Sequence, residues 1–369
     1  MLSAEDNRTS ATLAMDDRCR LFDLVVLTVA IGSLCLVGLA GNITSLFVLR
    51  RHNAETGTVF LLECLAVSDA LLLLCSLVVY SLAPILAYSS VSTASSDACT
   101  SARVYVWPFA MIAHTTTVWL TVLVTVTRYR TICSKTVNVA ALQVGRTRMH
   151  VVCVVIFAVL YNLPRFFEHQ PIAASASNAT SPEVPPAKPS KVGDSRVYQI
   201  VYSNILYYPV MYVVPLLLLA FLNYKLVNAV RIIRQRKRLL TSCQRQGSDH
   251  ITGCVIMIVF VFICCQTPAL VNQIFWAVTT PEERGCGRFH YYYTRISDVL
   301  VVLNSSGNFL IYCLFGKTFR KIFLDTICLG SRERKLAGDG QHETVAMRRP
   351  STNGLTQQKV TSARLLSVL

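Results

Sequence analysis

Seven long apolar stretches run through the sequence, and they exclude most soluble folds. A helix needs about 20 mostly apolar residues to cross the hydrocarbon core of a bilayer. Only 15% of the 369 residues are charged, whereas soluble domains carry roughly a quarter charged residues. The sequence therefore predicts an all-α membrane protein, a bundle of seven transmembrane helices. The expected spans lie at about 21–49, 57–82, 102–127, 149–166, 198–224, 250–279 and 292–314.

The Lys and Arg residues are distributed unequally between the two sides of such a bundle. Of the 35, 24 lie on the side of the first, third and fifth loops and the tail, and 11 lie on the other. The positive-inside rule makes the richer side cytoplasmic, so we expect a multi-pass plasma-membrane protein with an extracellular N-terminus. The sequons at Asn7 and Asn178 then fall outside, where glycosylation is expected. The opening MLSAEDNRTSA is acidic and polar, so we expect no signal peptide, and the first span acts as its own anchor.

The expected organisation is one membrane domain with polar ends. It comprises an extracellular N-terminus (1–20), the bundle (21–315), a short amphipathic helix on the membrane surface (316–327) and a disordered cytoplasmic tail (328–369). The net charge of +15 lies mainly beside the spans. We therefore expect it to meet anionic membrane lipid, and no nucleic acid.

Polar side chains inside the membrane are costly, and each is a candidate functional residue. Asp69 lies near the middle of the second span, and Thr117, Asn304, Ser305 and Asn308 could face it from the third and seventh. Oxygen ligands around one carboxylate suit a small hard cation such as sodium. The alternative is a protonated Asp69 that is hydrogen-bonded to its neighbours. Both interpretations stay open, and no other metal and no cofactor is expected.

Proline residues interrupt three of the spans, at Pro164, Pro215 and Pro268. Each frees a backbone carbonyl and can bend its helix, which creates a hinge or a cavity. A simple packing kink is the alternative interpretation.

The motifs along the spans resemble those of rhodopsin-like G-protein-coupled receptors. Thr127-Arg128-Tyr129 ends the third span, where that family carries Asp/Glu-Arg-Tyr. The other matching motifs occur in the family's order and spacing: Gly41-Asn42, LAVSD ending at Asp69, Pro215, the Cys265–Pro268 segment and the Asn308–Tyr312 segment. The resemblance covers about residues 21–327 and implies a receptor that activates a heterotrimeric G protein.

Three longer stretches narrow the resemblance to invertebrate FMRFamide-type neuropeptide receptors. They are YNLPRFFE (161–168), CQTPALVNQ (265–273) and LNSSGNFLIYCLFGKTFRKIF (303–323). This resemblance implies a short peptide agonist that ends in Arg-Phe-amide. Another amidated peptide or a chemosensory ligand is the alternative, and a transporter or channel is a remote one.

Several positions depart from the family pattern. Thr127 replaces the acid that restrains Arg128 at rest, so we expect raised basal activity. Gln266 replaces a Trp in the sixth span and Phe309 replaces a Pro in the seventh; both replacements are typical of the FMRFamide-type group.

The cysteines also depart from the family pattern. On the outer side of the membrane the cysteines outside the spans are Cys19, Cys99 and Cys286, and the second outer loop has none. The family's usual bridge from the third span to that loop therefore cannot form. We prefer a Cys19–Cys286 disulfide, and Cys99 with either partner is the alternative.

An Arg-Phe-amide ligand calls for a carboxylate that can pair with its guanidinium, and for an aromatic-lined cleft. Glu168 and Asp298 are the leading carboxylates, ahead of Asp97, Glu282 and Glu283. The alternative is a structural pair of either residue with nearby Arg165 or Arg295. The other predicted ligand-binding residues are His114, Gln273, Trp276 and Tyr208; for His114 a role as a satisfied core residue is the alternative.

Other ligand classes lack the residues that they need. An amine receptor of this family would carry an Asp where this chain has Ala110, and residues 292–314 contain no Lys for a retinal Schiff base. Neither HExxH nor GxSxG is present, so no enzyme activity is expected.

On the inner side the family's activation residues match Thr127, Arg128, Tyr129, Pro268, Asn308 and Tyr312. The basic run RIIRQRKR (231–238) should border the G-protein cleft or contact lipid headgroups. Cys328 is a candidate palmitoylation site. Ser351 in the tail could be a receptor-kinase target, with arrestin as a further partner.

Overall fold

The computed structural model describes most of the membrane-embedded chain. The described residues are 15, 17–51, 56–82, 85, 93–133, 140–170, 188–239, 246–280 and 282–326. Asn7, Asn178, Cys328 and the tail beyond it lie outside them, so the predictions for those residues stay predictions. By contacts the chain forms two units, Met1–Leu324 and Asp325–Leu369; of the second, Asp325 and Thr326 are described and are helical.

Helices make up almost all of the described fold. In chain order they are α1 (Asp17–Arg50), α2 (Gly57–Leu82), α3 (Thr93–Cys133), α4 (Ala140–Asn162), α5 (198–239), α6 (Gln246–Val278), α7 (Phe289–Ser306), α8 (Asn308–Phe315) and α9 (317–326). Within the described residues six helices are long and apolar enough to cross a membrane, and α7 with α8 makes a seventh if the bent pair is one span. The predicted seven-helix bundle with a short further helix is confirmed.

The continuous apolar run at 292–314 suggests one straight helix, but the seventh span consists of two helices with a bend between them. α7 and α8 meet at 48° around Gly307. Sharp helix bends arise at Pro or at Gly/Ser pairs, and here the sequence is Ser305-Ser306-Gly307, with Phe309 in place of the family's Pro. The bend therefore persists without the proline.

One of the three predicted proline interruptions coincides with the end of a helix. Pro164 is the second residue of a 3-10 turn (Leu163–Phe167) that follows α4, since proline has no N–H to continue the helix. Pro268 stays inside α6, and its carbonyl accepts a hydrogen bond from Tyr293 Oη at 3.1 Å. A further proline, Pro108, lies inside α3, and the sequence analysis did not single it out.

α3 occupies the centre of the bundle. Of its most apolar 18-residue window 72% is buried, against 17% for that of α4. α1 approaches α7 closely at Gly38, where an added Cβ would lie 2.5 Å from the Cβ of Ser306. Because α3 is central, its polar residues lie within reach of α2, α4, α5 and α6.

Candidate functional site

The outer end of the bundle is tied together by one disulfide and one ion pair. Cys19 at the start of α1 is bonded to Cys286 between α6 and α7, with a Cα–Cα distance of 6.0 Å. This is the pairing preferred from the sequence. One turn further, Asp23 accepts two hydrogen bonds from Arg295 of α7, at 2.9 and 3.4 Å. Arg295 is therefore engaged by Asp23, a residue that the sequence analysis had not considered for it.

Glu168 is engaged at the end of α4. Its Oε2 lies 3.3 Å from Nη1 of Arg165, the structural pair that was the alternative interpretation. The Arg165 side chain is 9% exposed, and its Cζ lies 4.8 Å from the ring centre of Tyr207 and 5.4 Å from that of Tyr202. Such contacts between a guanidinium and aromatic faces are attractive, and they fix the Arg165 side chain among the α5 tyrosines.

The second outer loop is held at the same point by hydrogen bonds to the backbone. The Ser190 N–H donates to the Glu168 carbonyl at 3.0 Å, and the Ser190 hydroxyl donates to the Phe167 carbonyl. Two short antiparallel strands, β1 (His169–Gln170) and β2 (Lys188–Pro189), lie beside this contact. Gly193 approaches so closely that an added Cβ would overlap the backbone oxygen of Glu168. These contacts hold the described end of the loop, residues 188–197, in a loop whose sequence has no cysteine for a disulfide.

Asp298 differs from these paired residues. It lies on α7, is partly exposed, and makes no hydrogen bond or ion pair to any described residue. Arg295 and the buried Tyr212 of α5 are within electrostatic reach of its carboxylate, so Asp298 faces the space between α5 and α7. Among the described carboxylates considered for the ligand, Asp298 thus lies inside the bundle without a hydrogen bond or ion pair to another described residue.

The remaining candidate carboxylates lie at the rim. Glu282 and Glu283 form an exposed 3-10 turn. Hydrogen bonds from the backbone N–H and the hydroxyl of Thr280 hold the pKa of Glu283 below its ordinary value, so this carboxylate serves as a local cap. The side chain of Asp97 lies outside the described residues.

The outer parts of α5 and α6 are joined at Tyr208. Its hydroxyl lies 3.0 Å from the backbone oxygen of Gln273 and 3.1 Å from Asn204 Oδ1. The structure thus brings together two predicted ligand residues, Tyr208 and Gln273. Trp276 lies one turn further out, where the guanidinium of Arg284 stacks 4.3 Å from its ring centre and the ring remains 44% exposed.

His114 and Gln266 form a polar contact between α3 and α6. Their Nε2 atoms lie 3.2 Å apart, and both side chains are buried. The contact joins α3 to α6 two residues before Pro268. Gln266 is the position where the family usually has a Trp, so the replacement gives the buried His114 a partner. His114 is thus a satisfied buried residue that contacts α6.

Asp69 is the centre of a buried layer in the middle of the bundle. Thr117 Oγ1 donates to its Oδ1 at 3.1 Å, and Asn308 Nδ2 donates to its Oδ2 at 2.6 Å. The Ser305 hydroxyl also faces this carboxylate and is buried with no hydrogen-bond partner among the described residues. No described hydrogen bond joins Asn304 to Asp69. The carboxylate, Thr117 and Ser305 are oxygen donors of the kind that sodium takes, so the residues fit that ion.

At the inner end some buried polar groups have no hydrogen-bond partner within the part of the chain that the structure describes. Arg128 is 4% exposed, and its Nε and Nη2 atoms have no hydrogen-bond partner among the described residues. Thr127 beside it cannot supply a carboxylate, and the ionisable group near Arg128 is the thiol of Cys254 on α6. The Tyr312 hydroxyl is likewise buried without a described partner.

Aromatic contacts hold α9 against the end of the seventh span. Phe309 lies 6.1 Å from Phe319 and 5.5 Å from Phe323, and Tyr312 lies 5.3 Å from Phe319, between ring centres. On its other side Phe309 packs against Gly41, where an added Cβ would lie 2.9 Å from the Phe309 Cβ. The replacement of proline by Phe309 thus belongs to a packed aromatic cluster.

From the sequence, Arg165 was considered only as a partner of Glu168; the α5 tyrosines beside it, Tyr202 and Tyr207, and Asp23 were not singled out. A signal for the buried position of Arg165 was present, since an Arg between a proline and two phenylalanines at the end of an apolar span has to find partners inside the protein. No signal pointed to Asp23, because its pairing depends on how α1 and α7 are rotated.

Comparison with known proteins agrees with this architecture. The family model of the seven-transmembrane receptors of the rhodopsin family matches residues 41–312. An FMRFamide receptor of Drosophila melanogaster is 30% identical over 307 residues, which are 78% of this chain and 51% of the fly protein. An FMRFamide peptide receptor of Caenorhabditis elegans is 26% identical over 303 residues, 79% of this chain and 67% of the worm protein. The rat somatostatin receptor type 5 is 26% identical over 309 residues, which are 80% of this chain and 76% of the rat protein.

The chain spans about half the length of the fly relative. The resemblance to FMRFamide-type receptors that the motifs indicated is confirmed at the level of sequence similarity, and relatives of the peptide-receptor kind predominate. The matched family consists of receptors and not of enzymes. With its helices and motifs in the expected order, the chain belongs to the rhodopsin family of seven-transmembrane, G-protein-coupled receptors.

Proposed function

We propose that this receptor is activated by a short peptide ending in Arg-Phe-amide and that it activates a heterotrimeric G protein. Two relatives carry FMRFamide in their names. The observation that carries the proposal is the free carboxylate of Asp298. It offers the charge that the ligand's guanidinium requires, in the space between the outer halves of α5 and α7.

The assignment to Asp298 follows from the pairing of the other carboxylates. Asp23 is held by Arg295 and Glu168 by Arg165, so a ligand could reach either only by displacing an existing partner. Asp298 has no such partner to displace. A guanidinium and a carboxylate form two parallel charge-assisted hydrogen bonds, which gives both affinity and a fixed orientation of the ligand.

The remaining parts of the peptide have matching groups in the same cleft. The phenylalanine ring suits the half-exposed face of Trp276, and the neutral amide suits the side chain of Gln273 on the same side of α6. Tyr208 already joins α5 to α6 at Gln273 and would set the width of the cleft. His114 and Gln266 would form its floor.

Ligand binding would reach the inner end through α6. A peptide that presses on the His114–Gln266 contact would change the interface between α3 and α6 beside Pro268, where the helix is weakest. Movement of the inner half of α6 would separate Cys254 from Arg128 and expose the Arg128 guanidinium, with Tyr129, Asn308 and Tyr312 around it, to the G protein. Thr127 supplies no charge to oppose this step, which supports raised basal activity.

The setting in the cell follows from the same assignment. We place the receptor in the plasma membrane with its N-terminus outside, glycosylated at Asn7 and Asn178. The basic segment 231–238 would meet anionic lipid and the G protein, and Cys328 would carry a palmitoyl group. Receptor kinases acting on Ser351 and arrestin would then end the signal.

A calcium assay tests the proposal. Cells expressing the chain with a promiscuous G protein are exposed to a panel of Arg-Phe-amide peptides, with the same peptides as free acids for control. We expect a dose-dependent calcium signal from the amides and a much weaker one from the acids. Silence across the panel, with the receptor confirmed at the cell surface, would contradict the ligand assignment.

A further inference from the structure

His290 is a buried imidazole between the outer ends of α6 and α7. It is the second residue of α7 and is 5% exposed. Its ring makes edge-to-face contacts with Trp276 and Phe275 of α6, at 5.5 and 6.1 Å between ring centres. Neither ring nitrogen has a hydrogen-bond partner among the described residues, and the nearby backbone oxygen of Asn272 forms no hydrogen bond with the ring. His290 therefore packs as an aromatic ring, although it can also take up a proton.

The surroundings of His290 oppose a positive charge. The guanidinium of Arg284 is within electrostatic reach of the ring, and it is held by hydrogen bonds to the backbone oxygens of Trp276 and Thr279, at 2.7 and 2.5 Å. The start of a helix also carries a partial positive charge. A protonated imidazole has two N–H donors, and a buried donor without an acceptor is destabilising. A charged His290 should therefore leave its place between α6 and α7.

No acid in the described part of the chain is paired with His290. α6 carries no charged residue between positions 265 and 278. On α1, Asp23 is already paired with Arg295 of α7. A charge on His290 would therefore not be neutralised by its neighbours. The other charged or titratable groups of the third outer loop and of α7, none of them hydrogen-bonded to the His290 ring, are Glu282, Glu283, Arg288, Tyr291, Tyr293 and Asp298.

We propose that His290 is a proton switch of the peptide site. The neutral ring holds the outer ends of α6 and α7 together through its contacts with Trp276 and Phe275. The protonated ring moves into water, and the two helix ends separate. Acidification outside the cell would then weaken the binding of the peptide.

The face of α7 that carries His290 connects it to the peptide site. His290, Thr294 and Asp298 follow one another at intervals of four residues, so they lie on the same face of the helix. Thr294 continues the contact with α6 through a hydrogen bond to Asn272 Oδ1 at 2.9 Å. Separation at His290 would move Asp298, on α7, relative to Trp276, on α6. The weaker binding rests on the proposed function, whereas the separation of the helices does not.

The sign of the pH dependence follows from the neutral state of His290 in the packed interface. An exposed histidine takes up its proton near pH 6.5, so the receptor should be in its closed form at neutral pH and change only in acid. Because the peptide would favour the closed form, its affinity should fall as the pH falls. One proton can change that affinity by at most about tenfold per pH unit.

The test follows Trp276, one of three tryptophans, in the purified full-length receptor without peptide or G protein. The tryptophans are labelled with ¹⁵N, and the indole N–H signal that Trp276→Phe removes is recorded by NMR from about pH 7.5 to about pH 5. We expect this signal to shift in the wild type and to stay constant in His290→Phe, which keeps an aromatic ring. His290→Gln replaces His290→Phe if that variant does not fold.

Two control variants separate His290 from other titrating groups. His169→Phe changes a histidine of the second outer loop, and Asp298→Asn removes the carboxylate on the same face of α7. Both should keep the shift of the Trp276 signal. A wild-type signal that does not change with pH, or a shift of equal size in His290→Phe, would overturn the proposal.

Peptide binding gives the second measurement. Between about pH 7.4 and about pH 5.5 the affinity of the wild type for an Arg-Phe-amide peptide should fall by about three- to tenfold, and that of His290→Phe by less than about twofold. An equal fall in both receptors would contradict the effect of His290 on the peptide site. If no such peptide binds to the wild type at neutral pH, the proposed function fails, and the NMR result alone decides whether His290 is a proton switch.

Discussion

Charged side chains are paired at the outer end of this bundle, whereas at its inner end buried polar atoms have no partner among the described residues. At the outer end the Cys19–Cys286 disulfide and the Asp23–Arg295 pair tie α1 to α7 and to the segment before it. Arg165 is paired with Glu168 in its own segment and packs against the tyrosines of α5. At the inner end Arg128 and Tyr312 are buried with polar atoms that have no partner among the described residues.

This difference corresponds to two tasks. When the residues around a ligand site are held in place before binding, less binding free energy is lost in ordering them. At the outer end Asp298 lies among residues that are held in this way. A buried group without partners destabilises its own resting arrangement, so a modest bias can change its conformation. The outer end is thus suited to recognition and the inner end to switching. The following predictions test that contrast, beginning with the largest effect.

Breaking the outer disulfide should have the largest effect on stability. Cys19→Ser or Cys286→Ser removes a link that spans 267 residues of chain, and loss of a native disulfide lowers the free energy of unfolding by about 2–5 kcal/mol. We expect a clear fall in the Tm of the purified receptor, equal for the two single variants and the double variant. Cys153→Ser, at a free and exposed cysteine, is the control. An unchanged Tm would show that the outer end is not held in this way.

Removing the charge of Glu168 should affect stability rather than recognition. Glu168→Gln leaves the buried Arg165 guanidinium without a charged partner and should cost about 1–3 kcal/mol. The preference for a peptide with Arg over one with citrulline should remain. Asp194→Asn, at an exposed acid in the same loop region, should change neither quantity. If Glu168→Gln loses the preference for Arg, then Glu168 and not Asp298 binds the ligand's guanidinium.

The buried polar residues around Asp69 lie between the two ends of the bundle, and sodium bound there should change the affinity for agonist. Replacing N-methylglucamine by sodium at constant ionic strength should weaken agonist binding about fivefold or more, because the ion holds the resting arrangement around Asp69. Asp69→Asn should abolish this sodium dependence. If the wild-type receptor shows none, the alternative of a protonated and hydrogen-bonded Asp69 is favoured.

Supplying a partner to Arg128 should have the smallest effect. Thr127→Asp places a carboxylate beside the unsatisfied guanidinium, and a weak ion pair of about 0.5–1 kcal/mol should lower agonist-free signalling about two- to fivefold. Thr127→Asn, with the same shape and no charge, is the control. Equal basal signalling in the Asp and Asn variants would show that charge at this position does not restrain the receptor.

The sequence predicted the bundle well because membrane spans are specified by length and composition alone. Apolar runs of about 20 residues cross a bilayer whatever their neighbours are, so the spans and the short helix after Gly316 could be predicted from the sequence. The bend at Gly307 could not be predicted, because Phe309 occupies the position where the family's proline would have indicated it.

Side-chain pairing was predicted only where the alternatives were few. Three cysteines outside the spans on the outer side left three disulfide pairings to weigh. Arg295, in contrast, had several acids within reach, and its choice of Asp23 over Asp298 depends on the rotation of α1 against α7. That rotation follows from packing along the whole helix and from no local motif. The identity of the free carboxylate therefore required the structure.

The central claim is that Asp298 binds the arginine of the ligand, and a double-mutant cycle tests it most directly. The potencies of an Arg-Phe-amide peptide and its citrulline analogue are measured on the wild-type receptor, on Asp298→Asn and on Glu168→Gln. We expect the wild type and Glu168→Gln to favour the Arg peptide by about 10- to 100-fold, the worth of one charge-assisted pair, and Asp298→Asn to show no preference. An Asp298→Asn receptor that still favours Arg as strongly as the wild type would contradict the account.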